Sequence, residues 1–284
     1  MKNLTLIKEL HGHSGCNLWL YKSGNEIFLR KDAGTVSYND RLKEQCLKQQ
    51  NFKSKTLKTP QVLNHGIDKN GLFFFDMEYI NGTSLAEYMN KIKIKEIVKF
   101  TDILFDSFSI SSGKQNPQAH NIFNKKLESL GKTCDIKNPS VSNALNILKQ
   151  FDFSSVPESK CCGDLTLENI MLTTSDIYVI DLLDSFYNSW TIDVAKLLQD
   201  VDVGWSYRHQ KRTPALDLRL ATTKQALIDR LEMLDNGKQY IDMIYHILLL
   251  NILRIYPYTK DNVTFDFLNN ATEKIIQKIK SKEY

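Results

Sequence analysis

The chain has 284 residues, 42% of them hydrophobic and 25% charged, and a formal net charge of +4 at pH 7. Such a length suits one large domain or two lobes around a sizeable core, and so mild a charge excludes a dense nucleic-acid footprint; the lysines at 91, 93 and 95 and at 278, 280 and 282 read as solvated helix faces. Five cysteines at irregular spacing, with Cys161 next to Cys162, exclude both a disulfide framework and a C-x-x-C metal site, and predict buried reduced thiols.

No membrane span is expected, because the most apolar stretch, Met243 to Tyr256, is broken by His246, Asn251 and Arg254. The first residues, Met1-Lys2-Asn3-Leu4-Thr5, lack the apolar run of a signal peptide, so a cytoplasmic location is the default expectation.

In chain order, Leu4 to Leu10 and Asn17 to Tyr21 read as strands flanking His11-Gly12-His13-Ser14-Gly15-Cys16. A turn of that composition can lay backbone amides over phosphates, with Ser14 and Gly15 at its tip. Glu26 to Lys31 is a further strand ending on Arg30 and Lys31, and alternation lets only one of the two face inward. Tyr38 to Gln50 reads as a polar helix with Leu42, Cys46 and Leu47 on one side. Val62 to Ile67 and Leu72 to Ile80 read as strands joined through the turn Asp68-Lys69-Asn70-Gly71.

Beyond Gly82 the pattern becomes helical, so the boundary between two parts falls near residue 81. Ser84 caps a short segment, and helices follow over Ile92 to Ser109, Asn121 to Leu130 and Val141 to Phe151. Thr191 is expected to cap a helix with an apolar face of Val194, Leu197 and Leu198. The remainder reads as three helices, Leu216 to Leu234, Gln239 to Tyr256 and Val263 to Lys280, punctuated by Asn236-Gly237 and Pro257.

The most informative stretch is Cys161-Cys162-Gly163-Asp164-Leu165-Thr166-Leu167-Glu168-Asn169-Ile170-Met171, followed by Ile177-Tyr178-Val179-Ile180-Asp181. Asp164 and Asn169 end one loop, and two apolar segments around the turn Thr173-Thr174-Ser175-Asp176 form a hairpin that returns Asp181 beside Asn169. An aspartate there can orient a substrate hydroxyl, while Asn169 and Asp181 hold Mg²⁺. Asp184 reads either as support for that metal site or for the hairpin.

This stretch resembles the catalytic loop and metal-binding strand of the protein-kinase-like superfamily, most closely of aminoglycoside and choline phosphotransferases; Asp164 through Asn169 fit D-L-x-x-x-N. The resemblance implies an α+β, two-lobed kinase-like fold: a nucleotide-binding lobe over 1–80 with a small antiparallel sheet and one helix, and a mainly helical lobe over 81–284 carrying the catalytic loop, metal site and acceptor pocket. It implies ATP and Mg²⁺ as cofactors. One of Arg30 and Lys31 would grip the phosphates, and Glu44, thirteen residues past Lys31, would pair with that cation in preference to its neighbours Gln45 and Gln49. Leu29 or Phe28, sharing the inward face, would cover the adenine. The backbone from Glu78 to Ile80 would meet its edge. A buried aspartate at the position of Asp193 would accept backbone hydrogen bonds from the catalytic loop, although a carboxylate in the first helical turn is also favoured by the helix dipole and a purely structural role is the preferred reading.

Three departures from the family pattern narrow the expected activity. Cys162 stands where the family has a histidine two residues before the catalytic aspartate, and Thr166 where protein kinases commonly place a lysine. Only eleven residues separate Asp181 from Asp193, too few for a peptide-docking segment. The expected activity is therefore transfer of the ATP γ-phosphate to a hydroxyl of a small molecule such as a sugar or amino alcohol. The alternatives are a nucleotide-binding pseudokinase and, further off, a protein kinase. Asp200, Asp202, Trp205, Tyr207 and Arg208 follow the Asp193 helix and are assigned by default to surface or core.

Overall fold

In the computed structural model, which describes residues 4–10, 15–108, 110, 113–183 and 185–284, five strands make one antiparallel sheet. They are β1 (Leu4–Leu10), β2 (Cys16–Ser23), β3 (Glu26–Ala33), β4 (Val62–Ile67) and β5 (Phe73–Glu78), in spatial order β1-β2-β3-β5-β4. The β4–β5 turn is fixed by chemistry legible in the sequence. Asp68 Oδ1 accepts from the amides of Asn70 and Leu72, and Gly71 takes the left-handed φ of 76° that the reversal needs. Helix α1 (Asn39–Gln50) lays Leu42 and Cys46 on one face of the sheet, where they share a core with Cys16, Ala33, Phe73, Phe75 and Met77. Burial of the Cys46 thiol in that core pushes it up to about 11.

The described chain divides into two compact units, Met1–Thr83 with Asn169–Asp184, and Ser84–Glu168 with Ser185–Tyr284. The expectation that everything past residue 81 belongs to the second part therefore needs a correction. The hairpin of β7 (Ile170–Leu172) and β8 (Ile177–Val179) belongs with the first unit. The physical reason is a pairing between distant segments: the Lys58 amide donates to the Ile177 carbonyl at 2.9 Å, and the Val179 amide donates to the Lys58 carbonyl at 2.8 Å. Lys48 Nζ on α1 adds a bond to the Leu183 carbonyl.

The second unit is helical. Ser84, at the end of the two-residue strand β6 (Thr83–Ser84), caps α2 (Leu85–Tyr88) by accepting from the Glu87 amide. There follow α3 (Ile94–Ser107), α4 (Ala119–Thr133), α5 (Pro139–Gln150), α6 (Trp190–Val201), α7 (Pro214–Glu232), α8 (Gly237–Leu253) and α9 (Asn262–Ser281). The middle of this unit is α8, whose residues from Met243 to Leu253 are all buried; a helix apolar on every side has to be wrapped by others, here α5, α6, α7 and α9. Thr213 and Asp261 cap α7 and α9 through the amides of Leu216 and Thr264.

Helix α6 begins two residues earlier than its composition suggests. Ser189, not Thr191, is the cap, accepting from the Thr191 amide. All five cysteines are buried, and none is in a disulfide. Among the described residues, no helix is long and apolar enough to cross a membrane.

Candidate active site

The candidate residues fall on both units. In the first, Lys31 on β3 lies on the buried face of the sheet, with its side chain 9% exposed, and its ammonium meets Gln45 Oε1 at 3.0 Å and Asp181 Oδ1 at 2.5 Å. Lys31 and Asp181 are 150 residues apart in sequence. Arg30, one residue earlier, points to the opposite face, as strand alternation requires. There its guanidinium forms a two-pronged pair with Asp76, directly across from it on β5, at 2.6 and 2.8 Å, and lies over the Phe74 ring. The inward cation is thus Lys31, and Arg30 is corrected from a phosphate candidate to a structural one.

Glu44 needs a second correction. It is exposed on α1, and the residue that reaches Lys31 is its neighbour Gln45, which is buried. One residue on an α-helix is a rotation of about 100°, so a spacing argument off by one selects the wrong face. Leu29 shares the inward face with Lys31 and packs against the sheet–helix core.

Asp181 lies two residues past the end of β8 and adopts a left-handed φ of 55°, a conformation that aspartate tolerates better than most residues and one often stored at functional sites. Asn169 is tied to the same place, because its carbonyl accepts from the Ile180 amide at 2.9 Å. Of the segment expected to meet a base, Glu78 has its amide committed to the Gln61 carbonyl at 2.9 Å, and Ile80 is buried. The Gly15 carbonyl accepts from the Gly34 amide at 3.0 Å; a Cβ on Gly34 would stand 2.8 Å from that oxygen, so the strands close tightly at this end of the sheet. Ser14 and Asp184 lie outside the described residues.

In the second unit, the loop that carries Asp164 is fastened along α6. Asp193 accepts from the Cys162 amide with one oxygen, at 2.6 Å, and from the Gly163 amide with the other, at 2.8 Å. Lys196 Nζ lies 3.0 Å from Asp164 Oδ1. Asp200, fully enclosed, accepts from the Leu167 amide at 2.6 Å and from the amide and hydroxyl of Ser206. Burial raises Asp200 to about 6, against the lowering effect of those three donors. Residues 193, 196 and 200 recur at i, i+3 and i+7, so one helix face holds the backbone on both sides of Asp164 and the side chain of Asp164 itself.

Sequence reasoning misses Lys196 and the anchoring role of Asp200, and ranks Gln45 below Glu44. A legible signal exists for two of them, since D-x-x-K-x-x-x-D places three polar groups on one face of an otherwise apolar helix.

Gly163 has a φ of 89°, in the left-handed region. Gly163→Ala is therefore expected to cost about 1–2 kcal/mol of stability, measurable as a lower urea midpoint with an unchanged slope. An unchanged midpoint would mean that the turn before Asp164 accommodates a side chain.

A five-stranded antiparallel sheet with one helix, together with the β7–β8 hairpin and a helical remainder, is the two-lobed protein-kinase-like fold. Within that fold, solved aminoglycoside phosphotransferases are similar over nearly the whole chain. A thermostable mutant of aminoglycoside phosphotransferase APH(4)-Ia, in ternary complex with ADP and hygromycin B, is 14% identical with a TM-score of 0.66, covering 99% of this chain and 95% of that one. A GDP complex of a mutant aminoglycoside 2′-phosphotransferase-IIIa is 12% identical with a TM-score of 0.64, covering 99% and 93%. At such identities the likeness is one of fold. No protein-family model and no curated protein sequence matches the chain.

Proposed function

We propose that the protein is an ATP-dependent phosphotransferase that moves the γ-phosphoryl group to a hydroxyl of a small molecule. The observation that carries this reading is the contact of Lys31 with Asp181: the residue expected on phosphates and the residue expected on metal, distant in sequence, meet on one unit. The fold shared with solved phosphotransferases supports it.

Asn169 and Asp181 offer an amide oxygen and a carboxylate, hard ligands of the kind Mg²⁺ takes in pairs while keeping water and phosphate oxygens for its other positions. The fit is reinforced by Asp181 already facing a cation, the Lys31 ammonium. When bound, Mg²⁺ would neutralise charge on the phosphates.

The remaining roles belong to the chain. Lys31 steadies phosphate oxygens, held in place by Gln45. The Glu78 carbonyl and the Ile80 amide meet the base edge, the Glu78 amide being already used. Gly15, just before β2, is a further backbone contact for the phosphates. Asp164 orients the acceptor hydroxyl in line. As the bond from acceptor oxygen to Pγ forms, the bond from Pγ to the bridging oxygen breaks, ADP leaves with that electron pair, and the hydroxyl proton passes to Asp164. A small acceptor follows from the eleven residues between Asp181 and Asp193, and a cytoplasmic site of action from the reduced thiols.

The test is ADP formation from MgATP with a panel of sugars and amino alcohols as acceptors, each product confirmed by mass. At least one acceptor is expected to raise ADP release above that with water alone. Nucleotide binding without ADP formation for any acceptor would replace this reading with that of a nucleotide-binding regulatory module, and transfer to protein would replace it with a protein kinase.

A further inference from the structure

Lys196 is built into the second unit more firmly than a surface lysine. Its side chain is 13% exposed and that of its partner Asp164 21% exposed, and the ammonium also donates to Oε1 of the buried Gln199 at 3.3 Å. Exposed lysine–carboxylate pairs contribute little, because solvent screens them and two long side chains must be ordered. Here both partners are largely removed from water, and one is anchored from two directions. Thr166, two residues past Asp164, is buried, and its amide donates to the Asp164 carbonyl at 2.9 Å, so that position turns inward.

We propose that Lys196 is the positioning residue of Asp164. The inference rests on the phosphotransferase reading and assigns within it a role to a residue of α6. Asp193 and Asp200 fix the loop backbone on either side of Asp164, but backbone anchoring leaves the carboxylate its own two side-chain torsions. The ammonium 3.0 Å from Oδ1 restrains those torsions, and so bears on the direction from which a hydroxyl can hydrogen-bond to the carboxylate. Alignment of a hydroxyl for in-line attack is the main contribution a protein makes to phosphoryl transfer, and a misplacement of about 1 Å costs about 10²-fold in rate. The spacing also explains the choice of residue. Three positions past Asp193 on the same helix face, a side chain must span from the helix to the loop residue after Gly163, and lysine has the reach.

The experiment measures steady-state ADP release from MgATP by the full chain, with the best acceptor from the panel or with water where none is found. Lys196→Met keeps the aliphatic stem and removes the charge. It is expected to lower kcat by about 10- to 100-fold with KM for ATP and the urea midpoint within about twofold and a few tenths molar of the parent, since nucleotide contacts belong to other residues. Lys196→Arg, whose fork also engages a carboxylate, is expected to recover part of the loss, and Lys196→Gln serves where the methionine variant does not fold. In an Asp164→Asn background the same substitution is expected to add no further loss, because the group being positioned is already gone.

A kcat for Lys196→Met within about twofold of the parent, or an equal loss in both backgrounds, overturns the proposal while leaving the phosphotransferase reading intact. A parent chain that releases ADP no faster than Asp164→Asn overturns both.

Discussion

Asp164→Asn is expected to abolish turnover, with kcat reduced at least about 10³-fold, while ATP binds within about threefold of the parent affinity. The substitution preserves size and leaves the backbone anchors of the loop untouched, since those are held by Asp193 and Asp200. What it removes is the negative charge and the proton acceptor, and it turns an amide group or an amide oxygen toward Lys196 in place of a carboxylate. A thousandfold loss corresponds to about 4 kcal/mol of transition-state stabilisation, within the range for removing a general base together with the alignment it gives. Nucleotide affinity should survive because the residues proposed to hold ATP, Lys31 foremost, belong to the other unit. Calorimetric titration with MgATP and a coupled ADP assay read the two quantities separately. A variant turning over at the parent rate would remove Asp164 from the mechanism, and a variant that lost ATP binding as well would point to a general collapse of the loop.

Much of this arrangement is legible in the residues, and the parts that are not have identifiable causes. Element types come through, because hydrophobic period and turn chemistry are local: the β4–β5 turn is specified by Asp68 and Gly71 within four residues of each other. The strand cation stays undecided in the sequence, because alternation separates Arg30 from Lys31 without naming the inner face. That choice depends on Asp76 waiting across β5 for one and Gln45 and Asp181 for the other. The helix partner is displaced by one residue for a similar reason, since a polar helix with Glu44 next to Gln45 offers no strong phase signal, whereas burial picks out Gln45 at once. The grouping of the β7–β8 hairpin with the first unit is invisible because it rests on Lys58 pairing with residues more than a hundred positions away. Asp193 is the instructive case. A carboxylate in the first turn of a helix has an ordinary explanation in the helix dipole, yet here its oxygens leave the helix altogether and serve the loop.

Asp193→Asn is accordingly expected to be the most damaging isosteric change in the helical unit. Asp193 is 4% exposed and gives one oxygen to each of two consecutive amides, those of Cys162 and Gly163. An asparagine retains one acceptor and presents an NH₂ group to the other amide, so one buried N–H loses its partner and faces a second donor. Leaving a buried donor unsatisfied costs about 1–3 kcal/mol, and replacing a charge-assisted bond adds to it, giving an expected loss of about 3 kcal/mol in unfolding free energy. The damage should reach function as well. Gly163 holds its left-handed backbone under that clamp, and Asp164 is the next residue, so a loosened turn displaces the carboxylate and is expected to lower kcat by about 10²-fold. Asp193→Ala, which orphans both amides and opens a cavity, should lose more stability than Asp193→Asn. Urea unfolding followed by circular dichroism orders the three proteins, and an Asp193→Asn variant as stable as the parent would show that the two amides find other partners and that the clamp is dispensable.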